Sequence, residues 1–375
     1  MNNSNKKVIY FFQNGRKDRI LNSTIYAKEM FYGYHHFRDK NYFVDVIEFR
    51  EHKSKLGRLF FITVEKRLRN ILKLPLYWSF VTNRENLKKI LRTDFIIFAN
   101  NRMASSVLPL VLCSKVLKSK ASNLTFIMGL FSRSPKYKIL EIIQKFYIIL
   151  FLKTLDNFVF LSKGEMNFAI SKYKKYKNKF HYLPFAVDLD VWKKESISKE
   201  DYILFVGNDG FRDFSLVEKL TKEMPNEKFI IISEEIDDKN LSSNTRVIKG
   251  SWGSPAVTDL ELKEIYQKAK LTILPINDSL QPSGQSVALQ SIACGTPVLI
   301  TETRGFWDHK NFKDNKNIFF AKNNDLSYWV EKIEYILNFN TLTKNKFIDD
   351  GIKTVSENYD FNKFSQKVEE ILTKT

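Results

Sequence analysis

The sequence alternates short apolar segments, rich in Ile, Val and Phe, with longer segments of helical periodicity, and it does so in two series. The first series runs from KVIYFF at 7–12 to KFHYLPF at 179–185. The second opens with DYILFVGND at 201–209 and ends with PVLIT at 297–301. Continuous apolar runs are typical of strands buried on both faces, and such strands followed by helices form parallel sheets. The pattern therefore predicts an α/β protein with two doubly wound, Rossmann-like domains.

Further segments extend both series. In the first, strands are expected at 42–49, 94–100, 123–130 and 157–162, and helices near 24–38, 105–120 and 138–155. In the second, strands are expected at 228–233, 245–250 and 271–276, and helices near 214–223 and 260–269. The polar, unperiodic segment 186–200 separates the series, and 375 residues suffice for two domains. We expect these domains at residues 1–190 and 200–355.

The segment QPSGQSVALQ at 281–290 places a Pro-Ser-Gly turn at the start of a predicted helix, shortly after a predicted strand. Ligands of open α/β sheets bind at the carboxyl ends of the strands. A helix N-terminus carries unpaired N–H groups and about half a positive charge, so it binds phosphate without a cationic side chain. Gly284 would let the backbone approach an anion closely, Ser283 and Ser286 would add hydroxyl donors, and Gln290 could reach a ribose hydroxyl. The alternative is a helix capped by Ser283, which needs no ligand.

A second loop with glycines, VGNDGFRDFS at 206–215, also lies between a predicted strand and a predicted helix. Gly207 and Gly210 free the backbone, and Arg212 can bridge two phosphate oxygens. The loop matches neither the GxGxxG pattern nor a Walker sequence. Two such loops at strand ends of one domain nevertheless support each other as parts of one phosphate site.

These segments resemble glycosyltransferase family 4, the group 1 glycosyltransferases of the GT-B fold. Members typically read glutamate, seven residues, glutamate and then Ala-Met-Ala-Cys-Gly-x-Pro-Val, and QPSGQSVALQSIACGTPVLIT at 281–301 is similar. The stretch 180–192 resembles the entry to the second domain, and 201–213 resembles its first strand and phosphate loop. The tail at 357–372 resembles the closing helix that returns to the first domain. Residues 356–375 are expected in that role.

The resemblance implies a GT-B glycosyltransferase in which two Rossmann-like domains face a central cleft. The second domain would bind a nucleotide sugar, and Arg212 would be the catalytic group that neutralises the leaving diphosphate. The resemblance also suggests retention of anomeric configuration, and no metal or other cofactor is expected because the helix N-terminus and Arg212 supply the positive charge. The donor site is expected to comprise Gly207, Asn208, Arg212, Ser283, Gly284, Gln285, Ser286 and Gln290. By analogy, Asn14 and Gly15 after the first strand would line the acceptor side of the cleft.

The chain departs from the family pattern at three positions. Gln290 stands where members have the second glutamate, which contacts the ribose, and Pro282 stands at the first, which contacts the donor sugar. Asn208 replaces the basic residue that follows the glycine of the phosphate loop. The pattern favours a divergent donor pocket over an inactive one.

Positive charge is concentrated in the first half of the chain. Residues 1–190 hold 35 Lys and Arg against 14 Asp and Glu, a net charge of +21 within a total of +18. Such asymmetry indicates an anionic partner, namely a membrane surface, a nucleic acid or a phosphorylated substrate. No nucleic-acid-binding motif is present, so nucleic acid is not expected. The alternative is a solvated surface without a partner.

The apolar helix near 136–153 has two interpretations. Helices that are apolar almost all round are usually buried core, which is the favoured interpretation here. The other is an interfacial surface that contacts anionic headgroups and a lipid-linked acceptor. Tyr77 and Trp78, in a basic stretch, are expected to be exposed.

The remaining features limit where the protein is expected to be located and which reaction it is expected to catalyse. No signal peptide and no apolar stretch long enough to span a membrane is recognised, which predicts a cytoplasmic protein, soluble or peripheral at the inner face of the membrane. The five His and two Cys lack metal-ligand spacing. We expect transfer of a sugar to a glycan or lipid-linked acceptor in bacterial surface polysaccharide synthesis. The alternatives are a non-catalytic basic protein that binds membrane or nucleic acid, and another GT-B enzyme such as a nucleotide-sugar epimerase.

Overall fold

The fold consists of two compact units, each built on a parallel sheet. A computed structural model describes residues 6–22, 25–49, 56–250 and 255–374, except the side chains of 56–61. The first unit comprises Met1–Asn22, Met30–Leu183 and Phe364–Thr375, and the second comprises Ser23–Glu29 and Pro184–Lys363. The α/β class and the two parallel sheets predicted from the sequence are confirmed. The assignment of the short N-terminal segment to the second unit was not predicted.

The sheet of the first unit has the strand order β2-β1-β3-β4-β5-β6, and every neighbouring pair is parallel. Its strands are β1 (Lys7–Phe12), β2 (Phe43–Glu48), β3 (Phe95–Phe98), β4 (Ser122–Ile127), β5 (Asn157–Phe160) and β6 (Phe180–Tyr182). Its helices include α1 (Arg16–Leu21), α2 (Tyr34–Asp39), α3 (Leu56–Leu72), α4 (Arg84–Leu91), α5 (Asn101–Val116), α6 (Lys138–Thr154) and α7 (Lys163–Lys172).

The second sheet has the order β12-β11-β10-β7-β8-β9 and is also parallel throughout. Its strands are β7 (Ile203–Val206), β8 (Phe229–Ile232), β9 (Thr245–Ile248), β10 (Leu271–Leu274), β11 (Val298–Thr301) and β12 (Phe319–Ala321). Its helices are α8 (Phe214–Glu223), α9 (Asp259–Lys268), α10 (Gln285–Ala293), α11 (Leu326–Leu337) and α12 (Thr341–Asn358).

The strand order of the second unit reverses between β7 and β10. From β7 the chain moves to β8 and β9 on one side, and from β10 it moves to β11 and β12 on the other. The helices that follow these two strands pack in different layers, because α8 contacts α11 whereas α10 contacts α9 and α12. Such a reversal leaves a crevice at the carboxyl ends of the two strands, and this is where open α/β sheets bind ligands.

Two helix predictions differ from the structure in their bounds. The helix expected near 24–38 is interrupted, because Gly33 adopts the left-handed conformation with φ 90° and separates a 3₁₀ turn at Glu29–Phe31 from α2. Thr24, where that helix was expected to begin, lies outside the described residues. The helix expected at 105–120 begins at Asn101 because the Asn100 side chain accepts a hydrogen bond from the Met103 N–H at 3.0 Å and caps it.

The last helix, α13 (Phe361–Thr373), contributes to the first unit from Phe364 onward. The Glu369 carboxylate accepts hydrogen bonds from His36 Nε2 at 2.8 Å, Lys40 Nζ at 3.0 Å and Tyr42 Oη at 2.9 Å. Burial acts to raise the pKa of Glu369, but these donors together hold it below the ordinary value. Among residues 6–22, 25–49, 56–250 and 255–374, every helix is too short or too polar to cross a bilayer.

We expect Glu369→Gln to loosen α13. The substitution removes the charge that three donors share, so the free energy of unfolding should fall by about 1–2 kcal/mol. The loss should diminish at acid pH, because protonation below the lowered pKa removes the same charge from the native protein. Chemical denaturation and hydrogen exchange along α13 measure both effects. Glu370→Gln is the control, since Glu370 makes only exposed ion pairs with Lys367 and Lys374, and an equal loss in the control would contradict the assignment.

Candidate functional site

The two loops at the strand reversal of the second unit are joined by backbone hydrogen bonds. Arg212, after β7, and Ile276, after β10, form an antiparallel bridge. The Asp213 N–H donates to the Pro275 carbonyl at 3.0 Å, and the Asn277 N–H donates to the Phe211 carbonyl at 2.7 Å. The structure therefore brings the two predicted phosphate loops together at one end of the sheet.

The Arg212 side chain fills the space that two glycines leave. It is 5% exposed, and its Nε lies 3.0 Å from Asp209 Oδ2. A Cβ atom on Gly207 would lie 2.5 Å from Arg212 Nε, and one on Gly284 would lie 2.8 Å from Nη1. Burial lowers the pKa of the guanidinium, and the Asp209 carboxylate acts in the opposite direction. Both glycines are therefore required for the position of a buried cation.

The reason for Gly284 differs from the one expected from the sequence. A Cβ atom at position 284 would point toward Arg212, Ile276 and Ile300, and not into open space that an anion could occupy. Gly284 is the N-cap of α10 with φ 81°, a left-handed conformation that favours glycine, and no side chain caps this helix. The alternative of a helix capped by Ser283 is therefore wrong.

Several polar atoms around the α10 N-terminus are buried and lack a hydrogen-bond partner in the described part of the chain. They are Arg212 Nη1, Ser283 Oγ, Gln285 Nε2 and Gln285 Oε1. Buried polar atoms are almost always paired, so a group of unpaired ones at one place indicates a missing ligand. A cation, a hydroxyl and an amide beside an uncapped helix N-terminus are suited to phosphate oxygens. Ser286, in the first turn, is half-buried.

A polar network that the sequence analysis missed fixes these loops. Asn324 Nδ2 donates to Asp213 Oδ2 at 3.0 Å, and Thr301 Oγ1 donates to Asn324 Oδ1 at 2.6 Å. Asp213 also caps α8 by accepting from the Leu216 N–H at 3.0 Å. Thr301 further accepts from the Ile276 N–H at 2.9 Å. Only the capping role had a sequence signal, namely an Asp immediately before a helical pattern.

Asn208 is committed to protein contacts. Its Nδ2 donates to the Gly250 carbonyl at 2.8 Å, and its Oδ1 accepts from Ser233 Oγ at 2.9 Å and from the Glu234 N–H at 2.7 Å. The side chain therefore ties the ends of β7, β8 and β9 together. The expected side-chain contact with the donor finds no support in this geometry.

Gln290 faces the interior of the second unit rather than a ribose site. It is 6% exposed, its Nε2 donates to Glu29 Oε1 at 3.0 Å, and its Oε1 lies 3.4 Å from Tyr266 Oη. The same Glu29 oxygen accepts from Trp192 Nε1 at 2.6 Å. The amide that replaces the signature glutamate is thus held by a carboxyl group from the N-terminal segment.

Glu29 is an unusual buried acid. It is 1% exposed, and burial raises its pKa to about 8, with the Gln290 hydrogen bond acting to lower it and Asp259 and Asp188 to raise it. No sequence signal pointed to Glu29, because it lies far from Gln290 along the chain and outside every motif.

In the first unit, the loop after β1 lies at the corresponding strand reversal, between β1 and β3. Asn14 is exposed, and Gly15 has φ 90° and precedes α1. These placements agree with a surface loop at the ligand edge of the sheet, and the acceptor assignment stays a prediction.

Tyr77 and Trp78 are half-buried, so the expectation that they are exposed is wrong. The Tyr77 ring lies between the guanidinium carbons of Arg69 and Arg102, 4.0 Å and 3.9 Å from its centroid. Trp78 Nε1 donates to the Ser105 carbonyl at 3.1 Å. Sequence reasoning did not associate Arg69 with Arg102, which lies in the first turn of α5 at the carboxyl end of β3.

The fold defines the class. Two doubly wound parallel sheets, one in each unit, are the architecture of the GT-B fold, and solved structures agree. HepE from Anabaena, in complex with UDP-glucose, aligns with a TM-score of 0.64 over 98% of this chain and 100% of its own at 9% identity. A glycosyltransferase from Rickettsia africae aligns with a TM-score of 0.63 over 98% of both chains at 13% identity.

A third structure covers less of each chain. TarM from S. aureus, in complex with fondaparinux, alpha-GlcNAc-glycerol and UDP, has a TM-score of 0.58 over 77% of this chain and 57% of its own at 14% identity. No protein-family model and no curated protein matches the sequence. The comparisons therefore establish the GT-B fold, and membership of glycosyltransferase family 4 stays a prediction. Within the described ranges, no group of three or more His, Cys, Asp and Glu could hold a metal ion.

We expect Gly284→Ala to destabilise the second unit and to displace Arg212. The left-handed conformation alone costs about 1–2 kcal/mol for a residue with a Cβ, and the close approach to Arg212 Nη1 adds to it. Denaturation should show the loss, and calorimetry with inorganic diphosphate should show weaker binding. Gly210→Ala is the matched control, because a Cβ there meets nothing within 4 Å. If both variants behave alike, Gly284 does not position the guanidinium.

We expect Glu29 to make stability depend on pH. The folded protein retains a proton up to about pH 8 that the unfolded chain releases near 4.5, so stability falls as pH rises through this window. The slope can reach about 1.4 kcal/mol per pH unit. Glu29→Gln should remove this part of the slope, whereas Glu235→Gln, at an exposed position, should not. A constant difference between wild type and Glu29→Gln across the window would show that Glu29 is ionised in the folded state.

Proposed function

We propose that the protein is a glycosyltransferase whose second unit binds a nucleotide-sugar donor at the anion site. The observation that carries this proposal is the set of unpaired buried atoms of Arg212, Ser283 and Gln285 beside the uncapped N-terminus of α10. The oxygens of a diphosphate can accept hydrogen bonds from Arg212 Nη1, Ser283 Oγ and Gln285 Nε2, whereas Gln285 Oε1 is itself an acceptor and requires a donor from another part of the ligand. The crevice at the strand reversal is also the usual place for a nucleotide on such a sheet.

The proposed chemistry rests on the leaving group. When the bond from the sugar to the diphosphate breaks, negative charge grows on the diphosphate oxygen. Arg212 and the α10 N–H groups are fixed in place before the reaction, so they stabilise this charge without reorganisation. This mechanism needs no metal ion for the charge. Retention of configuration is part of the proposal, and nuclear magnetic resonance of the product would establish it.

The bound molecules of the structural neighbours suggest the first donor to test. HepE was solved with UDP-glucose and TarM with UDP. We infer that a uridine diphosphate sugar is the donor class for this chain. The contacts of Gln290 with Glu29 and Tyr266 imply that another group contacts the ribose.

For the acceptor we propose a glycan or a lipid-linked glycan intermediate of bacterial surface polysaccharide synthesis, bound by the first unit at the inner face of the membrane. The net charge of +21 over residues 1–190 supports an anionic partner. Asn14 and Gly15 lie at the strand reversal of this unit, where a ligand is expected.

A second candidate is a non-catalytic protein that binds a nucleotide sugar, because both signature glutamates are absent. A third is a nucleotide-sugar epimerase on the same fold. Incubation of the protein with UDP-sugars separates the three. Release of UDP with transfer of the sugar to an acceptor in a membrane lipid extract supports the transferase. Conversion of the donor sugar into its epimer without an acceptor supports the epimerase. Binding of the UDP-sugar without turnover supports the non-catalytic protein.

We expect Arg212→Ala to lower turnover by about a hundredfold to a thousandfold, as the loss of one preorganised donor does elsewhere. Binding of UDP should weaken less, since the charge on the diphosphate is greatest in the transition state. Arg212→Lys should restore part of the rate, because a lysine lacks the planar fork. Steady-state kinetics and calorimetry with UDP measure the two effects. Arg246→Ala, at an exposed position on β9, is the control, and normal turnover in Arg212→Ala would refute the role.

A further inference from the structure

The outer face of α6 exposes five large apolar side chains. They are Ile139, Ile142, Ile143, Phe146 and Leu150, with exposures between 41% and 69%. Ile142 and Ile143 are neighbours, and the other steps along the series are three or four residues, which places all five on one side of the helix. The opposite side is buried through Gln144, Ile148, Phe151 and Leu152. The favoured interpretation of this helix as buried core is therefore wrong for its outer half.

Lysines border this apolar stripe. Lys138, Lys145 and Lys153 are exposed. At about 100° per residue, Lys138 and Lys145 lie along one side of the stripe, and Lys153 follows Leu150 at its carboxyl end. The helix has one acidic residue, Glu141. An exposed apolar face with lysines beside it is the pattern of helices that lie in the interface of anionic bilayers, with the apolar side among acyl chains and the lysines at headgroups.

The position of the stripe suits an acceptor that resides in a bilayer. The chain leaves the carboxyl end of β4, passes the exposed Arg133 and Tyr137, and enters α6 at Lys138. The stripe therefore begins at the edge of the first sheet where its ligand loops lie. A contiguous apolar patch of this kind is rare on proteins that do not use it for binding.

We propose that the outer face of α6 is a membrane-docking surface for anionic lipid. This inference rests on the proposed function in one respect, the purpose of docking, which would be to bring the first unit to a lipid-linked acceptor. Net charge decides for anionic lipid over a second copy of this chain, because the +21 carried by residues 1–190 attracts anionic headgroups and repels the same charge on a second copy.

The experiment is co-sedimentation of the full chain with vesicles of phosphatidylcholine alone and of phosphatidylcholine mixed with phosphatidylglycerol in equal parts. We expect binding to the mixed vesicles, weaker binding to the neutral ones, and a decrease with added salt. Phe146→Ser should reduce binding by about tenfold. Lys145→Glu with Lys153→Glu should reduce it by at least about fivefold for each lysine removed.

Matched controls distinguish binding through this surface from nonspecific hydrophobic adsorption and from effects on the donor site. Phe43→Ser alters a side chain of the same unit that is 66% exposed, against 69% for Phe146, and should bind vesicles as wild type does. Lys222→Glu, on α8, should also leave binding intact. UDP affinity should be unchanged in Phe146→Ser, so loss of vesicle binding with intact UDP binding supports the surface whatever the fate of the donor proposal.

Two outcomes would overturn the proposal. One is equal vesicle binding by Phe146→Ser, Phe43→Ser and wild type. The other is sedimentation of the wild type as a dimer that Phe146→Ser dissociates, without binding to mixed vesicles, which would assign the stripe to a second copy. Circular dichroism verifies that each variant is folded, and an exposed apolar position should tolerate serine.

Discussion

The candidate site depends on one buried positive charge, the guanidinium of Arg212, held where the strand order of the second unit reverses. Removal of a charged group from water costs several kcal/mol. The Asp209 carboxylate, 3.0 Å from Nε, offsets part of this cost, while Nη1 is buried without a partner in the described residues. Gly207 and Gly284 both lack a Cβ at the points where the guanidinium passes. An anion bound at Nη1 would offset the rest of this cost. The arrangement therefore favours anion binding at the expense of the stability of the empty site.

The position of that charge depends in turn on the loops around it. Arg212 and Asp213 are adjacent, so contacts that fix the Asp213 side chain also restrict the backbone that carries Arg212. Asp213 links to Asn324, and Asn324 to Thr301, across the carboxyl ends of β7, β12 and β11. The network is composed of neutral amide and hydroxyl groups around a single carboxylate. It therefore fixes the geometry of the loops with the half-buried Asp213 carboxylate as its one charged group.

The sequence predicted what local physics determines. Strands such as β7 were found because buried parallel strands are continuous apolar runs, and α8 was found with its observed bounds from its helical periodicity. The three-residue strand β12 is too short to give a pattern. The contact of Glu29 with Gln290 joins positions far apart in the chain, and no periodicity reports such a pair. Likewise Gly284 was recognised as special, but its close contact with Arg212 required the three-dimensional structure.

The departure from the glutamate signature has a physical consequence that bears on activity. A carboxylate at position 290 would place negative charge within α10, the helix that we propose to bind the diphosphate. Here Gln290 is neutral, and the nearby acid is Glu29, whose pKa burial raises to about 8. At neutral pH the Glu29 carboxyl group is mostly uncharged, so it does not offset the positive charge of Arg212 or the positive end of the α10 dipole. Under the proposed function, the glutamine at position 290 therefore leaves the attraction for phosphate intact, and the departure from the family pattern would affect recognition of the ribose and the sugar rather than the stabilisation of the leaving group.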